Sequence, residues 1–468
     1  SMGTTSSSDE APPPPPAAND AAAAPPQAPE RFEDMSYWKQ AQVGYQELVN
    51  AIIRPPRADY DDAHLGPKQF YFGKEKFQRT DFELRNERGM RFVCSHWEPM
   101  NRRAAELPCV IYMHGNSSAR VEAVPQLSLC LALGATMFAF DFSGSGRSDG
   151  EYVSLGFFER EDLKVVVDFL RASERVSTIA LWGRSMGAAT ALLHGDRDPS
   201  IAAMILDSPF ADLTMLAEEM VDKGRESGLT VPGFVVSIAI RWIRSSVQKQ
   251  AGFNINDLSP IAHADQCFIP ALFVAGEGDD FIKHHHSQQI HEKYAGDKNL
   301  VIVEGDHNSP RPRFLFDSVT IFLQTYLQIP PDWSLPDADP YNNGYPPWQS
   351  GMHGFMGSSV ARLDDVQMRM AGLDASFDDL NLGMTAERQH ETQQALYNML
   401  GAGGRVGNSP PADGPPGPEW ACVMCTFINN GSSSACMACG TPKSQSAAAG
   451  DGGGARGGGG AGGGGDGG

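Results

Sequence analysis

Between about residue 33 and residue 331, short apolar runs alternate with stretches of helical periodicity. The runs are rich in Val, Ile and Phe and lack polar alternation, as expected of strands covered on both faces of a sheet. This alternation predicts βα units and a mostly parallel sheet, which is an α/β fold. The candidate strands are residues 109–113, 136–142, 178–182, 201–206, 271–275 and 299–303.

Several other segments complete this predicted domain. Apolar residues from Leu163 to Leu170 recur at i, i+3, i+4 and i+7, which predicts a helix over residues 158–171. Residues 188–194 and 314–327 predict a further helix and a closing helix. Apolar runs at 69–72, 82–84 and 91–97 suggest a leading antiparallel hairpin. Residues 213–221 and 235–243 have helical spacing and predict either a small helical cap or an ordinary pair of packing helices.

A G-x-S-x-G pattern occupies residues 183–187, between a candidate strand and a candidate helix. This context is typical of a nucleophile elbow, where glycines are needed because a Cβ beside the serine would clash. We therefore predict Ser185 as the nucleophile, and the Met186 N–H as one oxyanion donor. His114-Gly115-Asn116 directly follows an earlier strand, which makes the Asn116 N–H the candidate second donor.

A hydrolase with this elbow needs its acid and base later, in the order Ser, Asp, His. Both residue types follow candidate strands, and the carboxyl ends of parallel strands converge on one crevice. We assign His307 as the general base and Asp279 as the group that orients its imidazole. Asp280 is the rival acid.

These motifs together resemble the alpha/beta-hydrolase serine hydrolases, a group that includes the alpha/beta-hydrolase-domain depalmitoylases and serine-aminopeptidase-like proteins. The resemblance implies an alpha/beta-hydrolase fold that cleaves an ester or thioester in an acylated small molecule or protein, with no cofactor for catalysis. A serine peptidase of the aminopeptidase-like type is the alternative. The matching pieces are residues 112–116, 141–148, 183–187, 206–210, 276–282 and 305–307.

Other polar and sulfur-containing groups in the domain are predicted to be structural. Asp141 and Asp207 match family turns, so we expect them to organise backbone. The run His284-His285-His286 begins a charged helix, and we expect it to be solvated. Four cysteines lie among apolar residues and are predicted to be buried thiols: Cys94, Cys109, Cys130 and Cys267.

The remaining four cysteines form two C-x2-C pairs near the carboxyl end of the chain. A segment of about twenty residues cannot bury a core unaided, so a tetrahedral Zn²⁺ held by four thiolates would supply its folding energy. The spacing predicts a zinc-ribbon-like finger over residues 419–443. Its predicted ligands are Cys422, Cys425, Cys436 and Cys439.

The finger pattern, with Trp420 and Asn429 in place, resembles the Ran-binding-protein-type zinc finger. Ubiquitin-binding members carry Thr-Phe after the second cysteine, and Thr426 and Phe427 stand there. In that family, a third contact comes from the side chain just before the last cysteine, and it is often larger than the Ala438 found here. The smaller side chain weakens the implied affinity for ubiquitin. The resemblance implies ubiquitin as a partner rather than RNA. A non-catalytic ubiquitin-binding adaptor is therefore a second hypothesis for the chain.

Composition and charge bound the rest of the chain. Residues 1–32 and 444–468 are of low complexity and are expected to be disordered. Residues 332–418 are predicted to be a flexible linker with one helix at 385–400. Lys+Arg 37 against Asp+Glu 57 gives a net charge of −20, which argues against nucleic-acid binding.

The sequence also predicts where the protein resides. It has no apolar run of membrane-spanning length, no signal peptide and no disulfide scaffold, so we expect a cytoplasmic protein. If Met2 is the native start, residues 2–7 match the N-myristoylation pattern. Acylation of Gly3 would then add weak membrane association.

Overall fold

Nine of the described strands form one mixed sheet. They belong to the computed structural model, which describes residues 37–226, 233–341, 345–349, 420–421 and 428–429. The strands are β1 (Gln69–Phe72), β2 (Glu75–Arg85), β3 (Arg91–Pro99), β4 (Leu107–Met113), β5 (Thr136–Phe140), β6 (Val176–Arg184), β7 (Ala203–Asp207), β8 (Ala271–Gly276) and β9 (Lys298–Val303).

The order of these strands across the sheet is β1-β2-β3-β5-β4-β6-β7-β8-β9. The three leading strands pair antiparallel, and β3 is also antiparallel to β5. Each remaining neighbour pair is parallel. The structure therefore confirms the predicted mostly parallel sheet, and the leading hairpin is present as well.

Eight α-helices accompany the sheet within the described ranges. They are α1 (Tyr37–Ile53), α2 (Val124–Leu133), α3 (Glu159–Ala172), α4 (Met186–Gly195), α5 (Leu213–Glu226), α6 (Gly233–Ala251), α7 (His285–Lys293) and α8 (Arg313–Tyr326). The start of α7 was predicted at the histidine run, whereas the sequence did not predict α1 or α2. In α2, eight of the ten residues are buried, so the segment has no polar face and no helical periodicity to detect.

Helices cover both faces of the sheet. In β4, Val110 and Tyr112 point into an apolar cluster with α2 and α8, whereas Ile111 and Met113 point into a second cluster with α3, α4 and α7. Every residue of β4 is buried, which explains why its sequence is apolar without alternation. The layers place the carboxyl ends of the parallel strands at one edge of the sheet.

A third apolar cluster is formed by α1, α5 and α6 together with loops near that edge. The two helices predicted from residues 213–221 and 235–243 are present as α5 and α6, and both are longer than predicted. The structure adds α1, which is joined to α6 by a 2.7 Å hydrogen bond between the Tyr45 and Ser246 hydroxyls. Phe281, beside the predicted acid, is partly buried against this third cluster, which we call the cap cluster.

The chain stays packed on the α/β domain after α8. Leu335 is buried in the first cluster, and the Trp348 ring lies edge-on to Phe70, with 5.5 Å between ring centroids. The prediction that a linker begins at residue 332 is therefore wrong for the described residues up to 349. The linker was predicted from the abundance of Pro, Gly, Asn and Asp. That composition does not reveal these contacts, because they depend on a few isolated aliphatic and aromatic side chains.

The chain divides into two units, Ser1–Ala402 and Gly403–Gly468. In the second unit, β10 (Trp420–Ala421) and β11 (Ile428–Asn429) pair antiparallel, with Trp420 opposite Asn429. The four predicted zinc ligands, with Thr426 and Phe427, lie outside the described residues. The same is true of Gly3, of the helix predicted at 385–400 and of the terminal segments.

Among the residues that the structure describes, no helix combines the length and the apolar character needed to cross a bilayer.

The last residues of α1 provide a test of the cap. Ile53 is fully buried in the cap cluster, whereas the neighbouring Arg54 is half exposed and pairs with Glu151 at the surface. We expect Ile53→Ala to lower the free energy of unfolding by about 2–5 kcal/mol, since it leaves a cavity. Arg54→Ala, the matched control, should cost less than about 1 kcal/mol. Urea denaturation measures both, and equal costs would contradict the packing.

Candidate active site

Ser185 alone forms the turn between β6 and α4, because the strand ends at Arg184 and the helix begins at Met186. Its backbone has φ 52° and ψ −113°, a strained conformation for a residue with a side chain. The Ser185 N–H donates to the Asp207 carbonyl at 2.7 Å, which helps to hold the turn. The predicted strand–turn–helix context is confirmed.

The glycines on either side of the serine have a steric reason. A Cβ at Gly187 would lie 2.1 Å from the Met113 carbonyl oxygen, and a Cβ at Gly183 would lie 2.3 Å from the backbone of Gly187. Side chains cannot fit at either position, so only glycine allows the helix to start this close to β4.

The loop after β4 lies beside the elbow, because Met113 is paired with Gly183. His114 is buried; its Nε2 accepts the Phe142 N–H at 3.2 Å, so Nδ1 carries the proton that is donated to the Gly115 carbonyl at 2.7 Å. This bond fixes the peptide between Gly115 and Asn116. The Asn116 N–H belongs to the same planar unit and points to the opposite side from that carbonyl.

His307 and Asp279 are brought together by the pairing of β8 with β9. His307 Nδ1 lies 2.7 Å from Asp279 Oδ2, and the other carboxylate oxygen accepts the N–H groups of Phe281 and Ile282. Because an ionised carboxylate only accepts, His307 Nδ1 carries the proton and Nε2 is left with its lone pair. Asp280, the rival acid, instead accepts from Lys223 Nζ at 2.7 Å.

Asp207, at the end of β7, forms a buried ion pair that the sequence did not reveal. Its two oxygens accept from Arg311 Nη2 and Nε at 2.8 and 3.1 Å. Arg311 also donates to the Asp306 carbonyl, so the pair anchors the loop that carries His307. Burial raises the pKa of the Asp207 carboxyl, but Arg311, together with Arg184 and His307, outweighs burial and holds the pKa below its usual value.

Asp141 has the turn-organising role that was predicted for it. Its carboxylate accepts the backbone N–H groups of Arg120 and Arg147, at 2.7 and 2.9 Å, and the Tyr60 hydroxyl at 2.7 Å. All four cysteines predicted to be buried thiols are free and buried: Cys94, Cys109, Cys130 and Cys267. Burial raises the pKa of each thiol, which disfavours the reactive thiolate.

The expectation that the histidine run is solvated is wrong for two of its members. His286 is fully buried and its Nδ1 accepts the Ala211 N–H at 3.2 Å, while His285 Nε2 lies 2.8 Å from a Glu219 oxygen. The prediction failed because α5, which carries Glu219, folds back over the start of α7. Burial lowers the pKa of His286.

Glu219, His285 and His286 offer donor atoms within 4.8 Å of one another, a separation that would suit a metal ion. The Ala211 N–H, however, occupies the lone pair of His286 Nδ1, which places the ring proton on Nε2. Nε2 is the atom that faces Glu219, at 3.5 Å. A protonated nitrogen cannot ligate a metal, so the geometry favours a structural contact between α5 and α7 over a metal site.

A family profile described as serine aminopeptidase, S33, matches residues 109–254, which run from β4 to just beyond α6 and include Ser185. The strand order of the sheet, the strand–turn–helix at Ser185 and this match show an alpha/beta-hydrolase fold.

Individual proteins show how far the similarity extends. The uncharacterized protein YqkD of Bacillus subtilis (strain 168) is 28% identical over 238 residues, which is 50% of this chain and 74% of that protein. The lysophosphatidylserine lipase ABHD12 of Gallus gallus is 32% identical over 115 residues, 23% of this chain and 29% of its own. Among solved structures, a Pyrococcus furiosus esterase, Pf2001, has a TM-score of 0.44 at 23% identity, covering 59% of this chain and 98% of that one.

The Asp207–Arg311 pair generates a stability prediction. Arg311→Gln leaves a buried carboxylate without its cation, and we expect a loss of about 3–5 kcal/mol in the free energy of unfolding at pH 7. The control is Arg313→Gln, because Arg313 is exposed and its contact with Asp339 lies at the surface. It should cost less than about 1 kcal/mol.

The same pair sets a pH dependence. The folded pKa of Asp207 lies below its unfolded value of about 3.9, so the pair stabilises the fold above that pH and loses its effect as the pH falls through the folded pKa. The stability difference between the native chain and Arg311→Gln should therefore shrink as urea denaturation is repeated from pH 7 towards pH 3. A difference that stays constant with pH would contradict the assignment.

Proposed function

We propose that the chain is a serine hydrolase that cleaves acyl ester or thioester bonds with Ser185, His307 and Asp279. The observation that carries this proposal is the 2.7 Å contact between His307 Nδ1 and Asp279 Oδ2. It lies at the same sheet edge as the strained Ser185 turn, and the His307 carbonyl accepts a hydrogen bond from Arg184, the residue before the serine.

The proposed reaction begins with attack of Ser185 Oγ on the acyl carbonyl carbon, while His307 Nε2 accepts the hydroxyl proton. Asp279 keeps the proton on Nδ1 and stabilises the imidazolium that forms. The carbonyl oxygen becomes an oxyanion held by the N–H groups of Met186 and Asn116. Collapse expels the alcohol or thiol, which takes its proton from His307. Water, deprotonated by His307, then attacks the acyl-enzyme, and the acid is released as the bond to Ser185 Oγ breaks and Oγ recovers its proton from His307.

The surroundings of the proposed base favour an acyl substrate. The Phe281 ring packs edge-on against the His307 ring, with 5.0 Å between centroids, and Phe281 also contacts the apolar cap cluster. An apolar acyl chain would find matching side chains there. The lipase named among the relatives supports an acyl substrate, whereas the serine-aminopeptidase profile supports a peptidase as the second candidate.

Labelling by a fluorophosphonate probe tests the proposed nucleophile and base. The intact protein should label, and Ser185→Ala and His307→Ala should abolish labelling, because the probe reacts only with an activated serine. Asp279→Asn should slow labelling by about 10⁴-fold, because the imidazole is no longer held with its proton on Nδ1 and Nε2 available to accept the serine proton. Asp280→Asn, the matched control, should change the labelling rate little. An intact, folded protein that fails to label would contradict the proposal and favour the adaptor hypothesis.

Hydrolysis assays separate the two candidate substrate classes. A series of 4-nitrophenyl esters with acyl chains of two to twelve carbons should be cleaved in preference to aminoacyl 4-nitroanilides. The reverse order of rates would favour the peptidase.

We further propose that residues 419–443 form a zinc-bound module that binds ubiquitin and delivers the hydrolase to ubiquitinated proteins. The pairing of Trp420 with Asn429 supports a hairpin that brackets the first two predicted ligands, Cys422 and Cys425. A tethered binding module raises the effective concentration of the enzyme near its target.

Metal analysis and ubiquitin pull-down test this second proposal. The intact protein should hold one zinc per chain, and Cys436→Ser together with Cys439→Ser should abolish zinc binding because two thiolate ligands are lost. Thr426→Ala with Phe427→Ala should weaken ubiquitin capture while zinc content and fluorophosphonate labelling stay unchanged. Ubiquitin capture that survives deletion of residues 419–443 would overturn it.

A further inference from the structure

The guanidinium of Arg184 is bonded directly to the loop that carries His307 and, through Glu122, is linked to the loop that follows β4. We infer that Arg184 is a positioning residue that couples the oxyanion loop, residues 114–116, to the histidine loop, residues 305–309. This inference rests on the proposed function. The side chain of Arg184 is 24% exposed, and the sequence motif assigns the residue no role beyond the x of G-x-S-x-G.

On the oxyanion side, Arg184 acts through a buried carboxylate. Arg184 Nη1 lies 3.5 Å from Glu122 Oε2, and the Glu122 side chain is 5% exposed. Glu122 in turn accepts the Gly115 N–H at 3.2 and 3.3 Å and the Tyr112 hydroxyl at 3.0 Å. The Gly115 N–H is therefore directed to Glu122 and is not the proposed oxyanion donor, a role that we assign to the Asn116 N–H.

On the histidine side, the contacts of Arg184 are direct. Its Nη2 donates to the His307 carbonyl at 3.2 Å and to Asn308 Oδ1 at 2.6 Å. The two nitrogens of one planar group thus serve different loops. Because a guanidinium is rigid, it sets the distance between those loops, whereas a lysine ammonium at the end of a flexible chain cannot reproduce both contacts.

The catalytic consequence follows from what the two loops carry. One loop supplies the Asn116 N–H for the carbonyl oxygen, and the other supplies the His307 ring for the serine proton. Both act in the transition state, and a displacement of about 1 Å of such a group can cost about 100-fold in rate. Loss of the Arg184 contacts should therefore lower kcat and leave KM nearly unchanged. Substrate binding in the ground state depends little on the Asn116 N–H or on the His307 ring.

A purely structural role for Arg184 makes a different prediction. A structural salt bridge contributes to folding, so its loss would lower thermal stability without changing the activity of the molecules that remain folded. The readout that separates the two roles is the affinity for a transition-state analogue. An alkyl boronic acid forms a tetrahedral adduct on the serine and uses the oxyanion donors, whereas a substrate in its ground state does not.

The experiment uses the full-length protein with 4-nitrophenyl butyrate as substrate and butylboronic acid as the analogue. The variants are Arg184→Lys, Arg184→Gln and Glu122→Gln. We expect kcat to fall by about 30–100-fold in Arg184→Lys with KM within about threefold, and the boronic acid inhibition constant to rise in parallel. Arg171→Gln is the control, because Arg171 pairs with Asp198 at the surface, and its kcat should not change.

A double-mutant cycle tests the route through Glu122. If Arg184 orients the oxyanion loop through this carboxylate, Arg184→Gln combined with Glu122→Gln should lose less than the product of the two single losses. Glu122→Gln keeps an oxygen to accept the Gly115 N–H, so it removes the ion pair with little change in shape. Thermal melting of each variant establishes the folded fraction. If an Arg184 variant does not fold, the kinetics of Glu122→Gln test the inference in its place.

Two results would overturn the inference. The first is a kcat within about threefold of the native value in folded Arg184→Lys or Glu122→Gln. The second is a variant whose loss of activity comes from a raised KM, while its inhibition constant for the boronic acid is unchanged. Failure of the native protein to hydrolyse the ester or label with fluorophosphonate is a different outcome, because it refutes the proposed function on which the inference rests.

Discussion

The arrangement of the site depends on one close backbone approach, between the start of α4 and the end of β4. At Gly187 there is no room for a Cβ against the Met113 carbonyl, and the helix can therefore begin directly beside the strand. This contact fixes the strained turn at Ser185 relative to the loop that follows Met113. The proposed nucleophile and the oxyanion loop thus have a set separation before any side chain contributes.

The histidine loop is held by charge rather than by close packing of backbone. Arg311 joins it to Asp207 at the end of β7, and Arg184 joins it to the segment before the serine. Both arginines also bind backbone carbonyls, so they position the loop as well as neutralising carboxylates. Paired and hydrogen-bonded in this way, buried charges offset the cost of their own desolvation.

Much of the fold and the central residues of the site could be predicted from the sequence because their signals are local. Buried strands are apolar runs, the elbow needs glycines at fixed positions, and residues that follow parallel strands gather at one edge. Asp279 and His307 were predicted on that basis, and the structure places them in contact. No ligand was needed for that prediction.

The groups that were missed depend on contacts between residues far apart in the chain. Arg311 lies 104 residues from Asp207, and Arg184 lies 123 residues from His307, so neither pairing leaves a local pattern. His286 was predicted to be solvated because nothing in its own segment shows that α5 covers it. The helix α2 was missed for a different reason, since burial on all sides removes the periodicity that sequence patterns detect.

The hydrogen bond between Tyr45 and Ser246 spans 201 positions of the chain, and it bears on the order of folding. Helix α1 is synthesised first, yet its partner in the cap is completed only after most of the sheet strands have been made. Closing so long a loop carries an entropic cost that local helix formation does not offset. We therefore expect the cap cluster to assemble late and to open locally while the sheet remains intact.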